Sequence, residues 1–179
     1  MNYKFFKRLF DIFFATFFLI VLSPVLLLVS LLIVLESRGP AFYTQNRLGL
    51  NGKPFKIYKF RSMVTGADRI GTGHYSFKGD PRVTKVGQVI RMTSIDELPQ
   101  FINVLIGDMS IIGPRPPLPN HPYAYEQYHE ADKVRFSVRP GITGWAQING
   151  RDELPIPEKV KLDAEYLRRR SLRFDIYIL

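Results

Sequence analysis

The chain has no cysteine and only three histidines in 179 residues. Without thiols it can form no disulfide, no thiolate metal site and no cysteine nucleophile, a composition that suits a reducing compartment. His74, His121 and His129 stand at no metal-ligand spacing, so no zinc site is expected. Acidic residues are also few. Sixteen face 25 lysines and arginines, for a formal charge of +9. That balance points to anionic partners: phosphates, anionic lipid or nucleic acid. Repeats and low-complexity segments are absent. The length suits one domain with a real core.

Charge is missing altogether from Ile12 to Leu35, a run of 24 residues. The run is long enough for a membrane segment. It is too long for a signal-peptide core and no small-residue cleavage site follows, so it is expected to be retained. Ser23-Pro24 interrupts it. Proline removes a backbone donor and clashes with the carbonyl four residues back, and Ser23 can bond back to a carbonyl and deepen the bend. Both flanks are basic: Lys4, Lys7 and Arg8 on one side, Arg38, Arg47, Lys53 and Lys56 on the other. Orientation follows asymmetry in these charges, and there is little here. Each limb would reach roughly 16–18 Å, about half a hydrocarbon core. These residues allow a helix–break–helix hairpin and a kinked spanning helix equally.

The chain then turns to mixed structure. Ala41 to Thr44 and Pro54 to Met63 read as strands around an Asn51-Gly52 turn. In the second, Lys59 and Arg61 fall on one face. Such cations suit a solvated strand edge, and the interleaved aromatics also suit nucleic acid. Val64 to Gly79 lacks periodicity and reads as a loop. Val83, Val86, Val89 and Ile90 recur at helical spacing, and Arg91 ends that piece. Capping a helix C-terminus is the bland role for that arginine.

The adjacent carboxylates Asp96 and Glu97 follow. Ser94 and Glu97 have capping-box spacing, which predicts a helix starting near Asp96 and puts the doublet at its positive end. Taken alone, acidic residues there merely cap. Phe101 to Ile106 and Met109 to Ile112 are apolar, and read as core or as a helix on a membrane surface. Gly113-Pro-Arg-Pro-Pro117 must be stiff and non-helical. It is either a plain connector or a rigid mount for Arg115, whose guanidinium can grip phosphate through two parallel hydrogen bonds. Tyr123 to Phe136 reads as an amphipathic helix and Glu158 to Arg170 as a last one, with Asp163 inside it. The chain closes on the apolar Asp175 to Leu179, as a shortened chain would.

The order of motifs is informative. Ser23-Pro24 in its apolar run is followed by Tyr58-Lys-Phe-Arg61, Asp80-Pro-Arg82, Thr93-Ser-Ile-Asp-Glu-Leu-Pro-Gln100, Gly107-Asp-Met-Ser110, Gly113-Pro-Arg-Pro116 and Arg139-Pro-Gly-Ile-Thr-Gly-Trp-Ala-Gln147. This series resembles the bacterial sugar transferases called monotopic phosphoglycosyl transferases, over nearly the whole chain. The resemblance implies a mainly α fold with a small β-hairpin. It divides the chain into a re-entrant membrane hairpin, 1–38, broken at Ser23 and Pro24, and a compact cytoplasmic catalytic domain, 39–179, with membrane-surface amphipathic helices. It places the protein at the bacterial inner membrane. The implied reaction moves a sugar-1-phosphate from a UDP-sugar to a polyprenyl phosphate and releases UMP. Asp96 matches the family's nucleophile, Glu97 its Mg2+ ligand and Arg91 a phosphate-binding position. Arg115, Lys59 and Arg61 match the basic lining. Asp163 receives no role, and the family usually continues past Leu179. The expected partners are the donor, the lipid acceptor and membrane lipid, with no nucleic acid. The other class open to this composition is a membrane-anchored basic module that binds anionic lipid or nucleic acid without catalysis. The chain carries no recognisable nucleic-acid-binding fold.

Overall fold

The computed structural model describes residues 3–73, 76–77, 79–150 and 154–179; His74 lies outside them. Two long helices open the chain, α1 (Tyr3–Val21) and α2 (Ser23–Glu36). The strands β1 (Phe42–Leu48) and β2 (Pro54–Phe60) pair as an antiparallel hairpin. Then come α3 (Lys85–Met92), α4 (Gln100–Ile106), β3 (Ser110–Ile112), α5 (Glu130–Lys133), β4 (Gly141–Thr143), α6 (Trp145–Ile148), α7 (Ile156–Arg169) and α8 (Leu172–Ile178). The fold is mainly α with one small hairpin.

The break between α1 and α2 has a local cause. Continued helix would drive the Pro24 ring into the Ile20 carbonyl. Instead the chain bends by 61° and Ser23 Oγ donates to that same carbonyl at 2.8 Å. Pro24 then falls in the first turn of α2, where its missing N–H costs nothing. No single helix among the described residues is long and apolar enough to cross a membrane, but this bent pair is by length and composition. Its outer surface is apolar: Phe13, Ile20, Leu27 and Leu35 are each about two-thirds exposed or more. The pair is consistent with a re-entrant membrane element.

Two compact units divide the chain. The first comprises Met1–Phe18, Gln45–Ile57 and Gln100–Leu179. Its core gathers Ala15, Ile57, Val104, Met109, Ile112 and Tyr166, with Phe174 and Ile178 from α8. The strands β3 and β4 run parallel at its centre, Ser110 opposite Gly141 and Ile112 opposite Thr143. Backbones meet there too closely for side chains. A Cβ on Gly141 would lie 2.1 Å from the Gly113 nitrogen, and one on Gly144 2.1 Å from the Gly113 carbonyl oxygen. That explains glycine in both the Gly113-Pro-Arg-Pro and Pro-Gly-Ile-Thr-Gly stretches.

The buried stripe of α1 in this unit reads Lys7, Asp11, Ala15, one residue every fourth position. The Asp11 carboxylate accepts from Lys7 Nζ at 3.0 Å, Ser110 Oγ at 3.0 Å and the Ile111 amide at 3.1 Å. Asp175 accepts from the hydroxyls of Tyr3 and Tyr166, both at 2.9 Å. These buried charges are hydrogen-bonded, as burial requires.

The second unit comprises Leu19–Thr44 and Tyr58–Pro99. Its core is Val29 and Ile33 of α2, Phe60 of β2 and Ile90 of α3, with Ile95 packed against them. Two charged side chains tie its helix ends. The Arg61 guanidinium donates to the carbonyls of Arg38 at 2.6 Å and Ser37 at 2.7 Å, just past α2. The Glu36 carboxylate accepts the amides of Lys85 at 2.7 Å and Val86 at 2.9 Å, at the first turn of α3. Anionic groups are favoured at that end of a helix.

Two sequence expectations change. Tyr123 to Phe136 is no continuous helix. It is a 3-10 turn at Tyr125–Gln127, the short α5, and a second 3-10 turn at Val134–Ser137. Tyr125, Tyr128 and Phe136 pack with Leu48 in a separate small core, and the ring contacts bend the backbone away from one helical face. Ser94 is no N-cap. Its φ is +57°, its side chain caps nothing, and Ile95–Glu97 form a 3-10 turn ahead of α4.

Candidate active site

The acidic doublet sits on a short turn inside the second unit. Ahead of it α3 is capped by Thr84, whose hydroxyl accepts from the Gly87 amide at 2.9 Å. The last turn of α3 carries Arg91. Thr93 ends the helix and its hydroxyl bonds back to the Val89 carbonyl at 2.9 Å. Ser94 then takes a left-handed backbone, which costs a non-glycine residue roughly 1 kcal/mol. The strain reverses the chain so that Ile95 enters the core while Asp96 and Glu97 point elsewhere.

Lys59 comes from the end of β2 and meets the doublet. Its Nζ lies 2.7 Å from Glu97 Oε1, with both side chains about four-fifths buried. The lysine therefore takes the carboxylate that capping-box geometry would have sent back to the Ser94 amide, and that amide bonds the Arg91 carbonyl at 3.3 Å instead. Burial pushes the Asp96 carboxyl above the ordinary aspartate range. Lys59 pulls the other way, Glu97 adds to the push, and Arg91 opposes it. Asp96 is thus a partly desolvated carboxyl within electrostatic reach of two cations and a second carboxylate. Such a group is a better nucleophile than a fully hydrated one, and groups of this kind cluster at functional sites.

Arg91 is held rather than loose. Its Nε donates to Ser62 Oγ at 2.8 Å and its Nη1 to Ser76 Oγ at 2.8 Å. Arg82 builds the loop beneath. Its guanidinium grips Asp80 at 2.7 Å and donates to the carbonyls of Ala67, Ile70 and Gly73 at 2.7–2.8 Å. That arginine holds the Asp80 carboxyl down at about 2. The sequence marked Asp80-Pro-Arg82 only as one motif in the family series. Its part is to fold the preceding loop around one guanidinium, which no local pattern discloses.

Of the residues singled out in the sequence, Asp96, Glu97, Lys59 and Arg91 come together here. Arg61 lies in the same unit, and its guanidinium faces the carbonyls that end α2. Arg115 belongs to the first unit, on the loop after β3. That loop has a support the sequence left without a role. Asp163 of α7 pairs with Arg135 at 2.8 Å, and Arg135 donates to the Arg115 carbonyl at 3.2 Å. Asp163 is thus a positioning residue for the proline-rich loop, and burial raises its carboxyl to about 6.

The described residues contain no cluster of three or more histidine, cysteine, aspartate or glutamate side chains that could cage a metal. The site offers two neighbouring carboxylates, which are hard oxygen donors. Magnesium commonly takes one or two carboxylates and completes its shell with water and substrate phosphate, so the donor set fits that ion. Two cations beside a partly buried carboxyl are an arrangement that can attract a phosphoester.

A family model described as bacterial sugar transferase matches residues 2–179, and the chain belongs to that family. It is 51% identical to the UDP-glucose:undecaprenyl-phosphate glucose-1-phosphate transferase of Escherichia coli (strain K12), over 97% of this chain and 38% of that protein. It is 43% identical to the UDP-N-acetylgalactosamine-undecaprenyl-phosphate N-acetylgalactosaminephosphotransferase of Aeromonas hydrophila, over 99% of this chain and 42% of that protein. Another relative, the uncharacterized sugar transferase EpsL of Bacillus subtilis (strain 168), is 44% identical over 97% of this chain and 83% of its own length. Against the first three curated relatives the chain spans only 34–38% of their length.

Proposed function

We propose that the protein transfers a sugar-1-phosphate from a UDP-sugar to a polyprenyl phosphate, releasing UMP, at the cytoplasmic face of a bacterial inner membrane. The observation that carries this reading is the Asp96–Glu97 doublet held by Lys59 and Arg91, in a chain whose first two helices form a bent apolar pair. Relatives named for transfer of glucose-1-phosphate or N-acetylgalactosamine phosphate to undecaprenyl phosphate support it.

The chemistry follows from charge. The donor is a pyrophosphate diester whose negative charge repels an incoming carboxylate. Lys59 and Arg91 offset that repulsion. The Asp96 carboxylate attacks the sugar-bearing phosphorus, the new O–P bond forms, and the bond from that phosphorus to the bridging oxygen breaks. UMP leaves with the electron pair. A phosphate oxygen of the lipid then attacks the same phosphorus and restores the free carboxylate. Glu97 would hold Mg2+, which supplies Lewis-acid neutralisation of phosphate charge when bound, and Asp96 stays free to attack. Lys59 fixes the Glu97 carboxylate, and Arg91, braced by Ser62 and Ser76, presents its guanidinium to the phosphate. The bent apolar helix pair would keep the protein at the membrane surface, where a lipid phosphate arrives.

The test is a panel of UDP-sugars with polyprenyl phosphate and magnesium, scored for UMP. Acceptor-dependent release from at least one donor is expected. No release from any donor, with salt-sensitive binding of nucleic acid in its place, would reject the reading in favour of a basic binding module.

A further inference from the structure

The first unit holds a cavity of about 160 Å³ that the proposed reaction does not use. It opens beside the start of α1, and Lys4, Lys7, Arg8, Arg139 and Arg170 line it against a single carboxylate, Asp11. Lys7 is spoken for, by Asp11 at 3.0 Å and Asp175 at 3.7 Å. Arg8 and Arg139 spend donors on carbonyl groups, those of Val104 and Leu105 for the first and Gly107 for the second. These bonds fix the guanidinium groups without neutralising them. Among the described residues no ion pair joins a carboxylate to Lys4, Arg8, Arg139 or Arg170. A concave site with several uncompensated cations, two of them held in place by backbone, is built to receive an anion.

Size and position narrow the occupant. Sites for drug-sized ligands run to about 300–1,000 Å³, so this one is too small for a nucleotide sugar and suited to a single phosphate-bearing group. It lies at the basic start of α1, on the same turns where the exposed apolar surface of that helix begins with Phe5 and Leu9 before continuing through Phe13 and Phe17. Basic residues directly beside a membrane-inserted helix sit at headgroup depth. We infer that this cavity is a headgroup site for an anionic phospholipid of the bilayer, which pins the foot of α1 separately from the catalytic doublet. The inference rests on the membrane reading of α1 and α2 given above.

The test is native mass spectrometry of the full chain released from nanodiscs of mixed phosphatidylglycerol and phosphatidylcholine. The wild-type protein is expected to retain phosphatidylglycerol in preference to phosphatidylcholine. Arg139→Ala with Arg170→Ala should lower that retention by about tenfold or more, since each juxtamembrane cation contributes substantially at an anionic surface. Lys53→Ala with Lys56→Ala, the same charge change elsewhere, should leave it unaltered. Equal retention by the Arg139/Arg170 variant would overturn the inference. Displacement of the lipid by equimolar inorganic phosphate would also overturn it, and would make the cavity a soluble-anion site. Phosphatidylcholine adducts in every variant report membrane association on their own, so failure of the membrane reading is seen separately.

Discussion

Replacing Lys59 by alanine should damage the site twice over, by amounts the geometry sets. The Lys59–Glu97 pair is 2.7 Å long, with both side chains about four-fifths buried. At an effective dielectric constant near 20 the gross attraction is about 6 kcal/mol, and desolvation of the two ions cancels a large part of it. Removal of one partner leaves the other carboxylate partly buried and unbalanced. The expected net loss is about 2–3 kcal/mol, below the value for a fully buried pair because the rim is wet. The turn that carries the doublet should feel it first. Amides of Glu97 and Leu98 bond the carbonyls of Ser94 and Ile95 at 3.1 Å. Their hydrogen exchange should quicken by about 30- to 150-fold. The second effect is on Asp96. Lys59 is the leading influence that lowers its pKa, so its loss lets burial and Glu97 drive the carboxyl further up. The acid limb of the pH–rate profile should then move to higher pH, because the attacking form is the carboxylate. Lys59→Ala combined with Glu97→Gln should recover most of the exchange protection, since removing both partners leaves no stranded charge. Unchanged exchange in the turn, together with an acid limb that does not move, would refute this account of the site.

Three further outcomes follow from the structure. The protein lacks cysteine, so single cysteines at Lys4 and Ser37 report topology cleanly: an impermeant thiol reagent should reach neither in intact cells and both in inverted vesicles, and a label on one end only from outside would identify a straight span. Gly141→Ala puts a Cβ 2.1 Å from the Gly113 nitrogen and 2.3 Å from the Thr143 carbonyl oxygen, so β3 and β4 must part; a loss of about 3 kcal/mol is expected in denaturant titrations followed by Trp145 fluorescence, and a loss under about 1 kcal/mol would contradict the close approach. Asp163 is raised by burial to about 6, above its unfolded value near 3.9, so its stabilising contribution is complete below about pH 3.9 and is lost as pH rises through about 6. Asp163→Asn should remove up to about 3 kcal/mol of the fall in stability over that window, and identical pH slopes for the two proteins would count against the assignment.

Local chemistry was readable wherever it decides the backbone by itself. Pro24 forced a break and Ser23 took the carbonyl left over; Asn51-Gly52 turned the hairpin; the valines of 83–90 marked α3. The pattern failed where a distant group competed. Capping-box spacing at Ser94 gave way because Lys59, 38 residues upstream of Glu97, claimed the carboxylate. Helical periodicity over Tyr123 to Phe136 gave way to rings gathering on Leu48. The doublet itself was visible as two adjacent acids, whereas Lys59 and Arg91 were assigned to it only through the family resemblance, because β2 and α3 meet only in three dimensions. Arg61 looked like a twin of Lys59 from strand alternation. One residue past the end of β2 it instead closes the last turn of α2. Asp163 carried no readable role, since an aspartate on an amphipathic helix normally faces water.

Isotope exchange bears most directly on the central claim, that Asp96 carries the phosphosugar covalently. The protein is incubated with the UDP-sugar that supports UMP release in the donor panel and with labelled UMP, with magnesium and no lipid acceptor. A covalent aspartyl intermediate predicts label appearing in the donor pool, and none with Asp96→Asn. Absence of exchange in protein that turns over once acceptor is added, or undiminished exchange in Asp96→Asn, would contradict it.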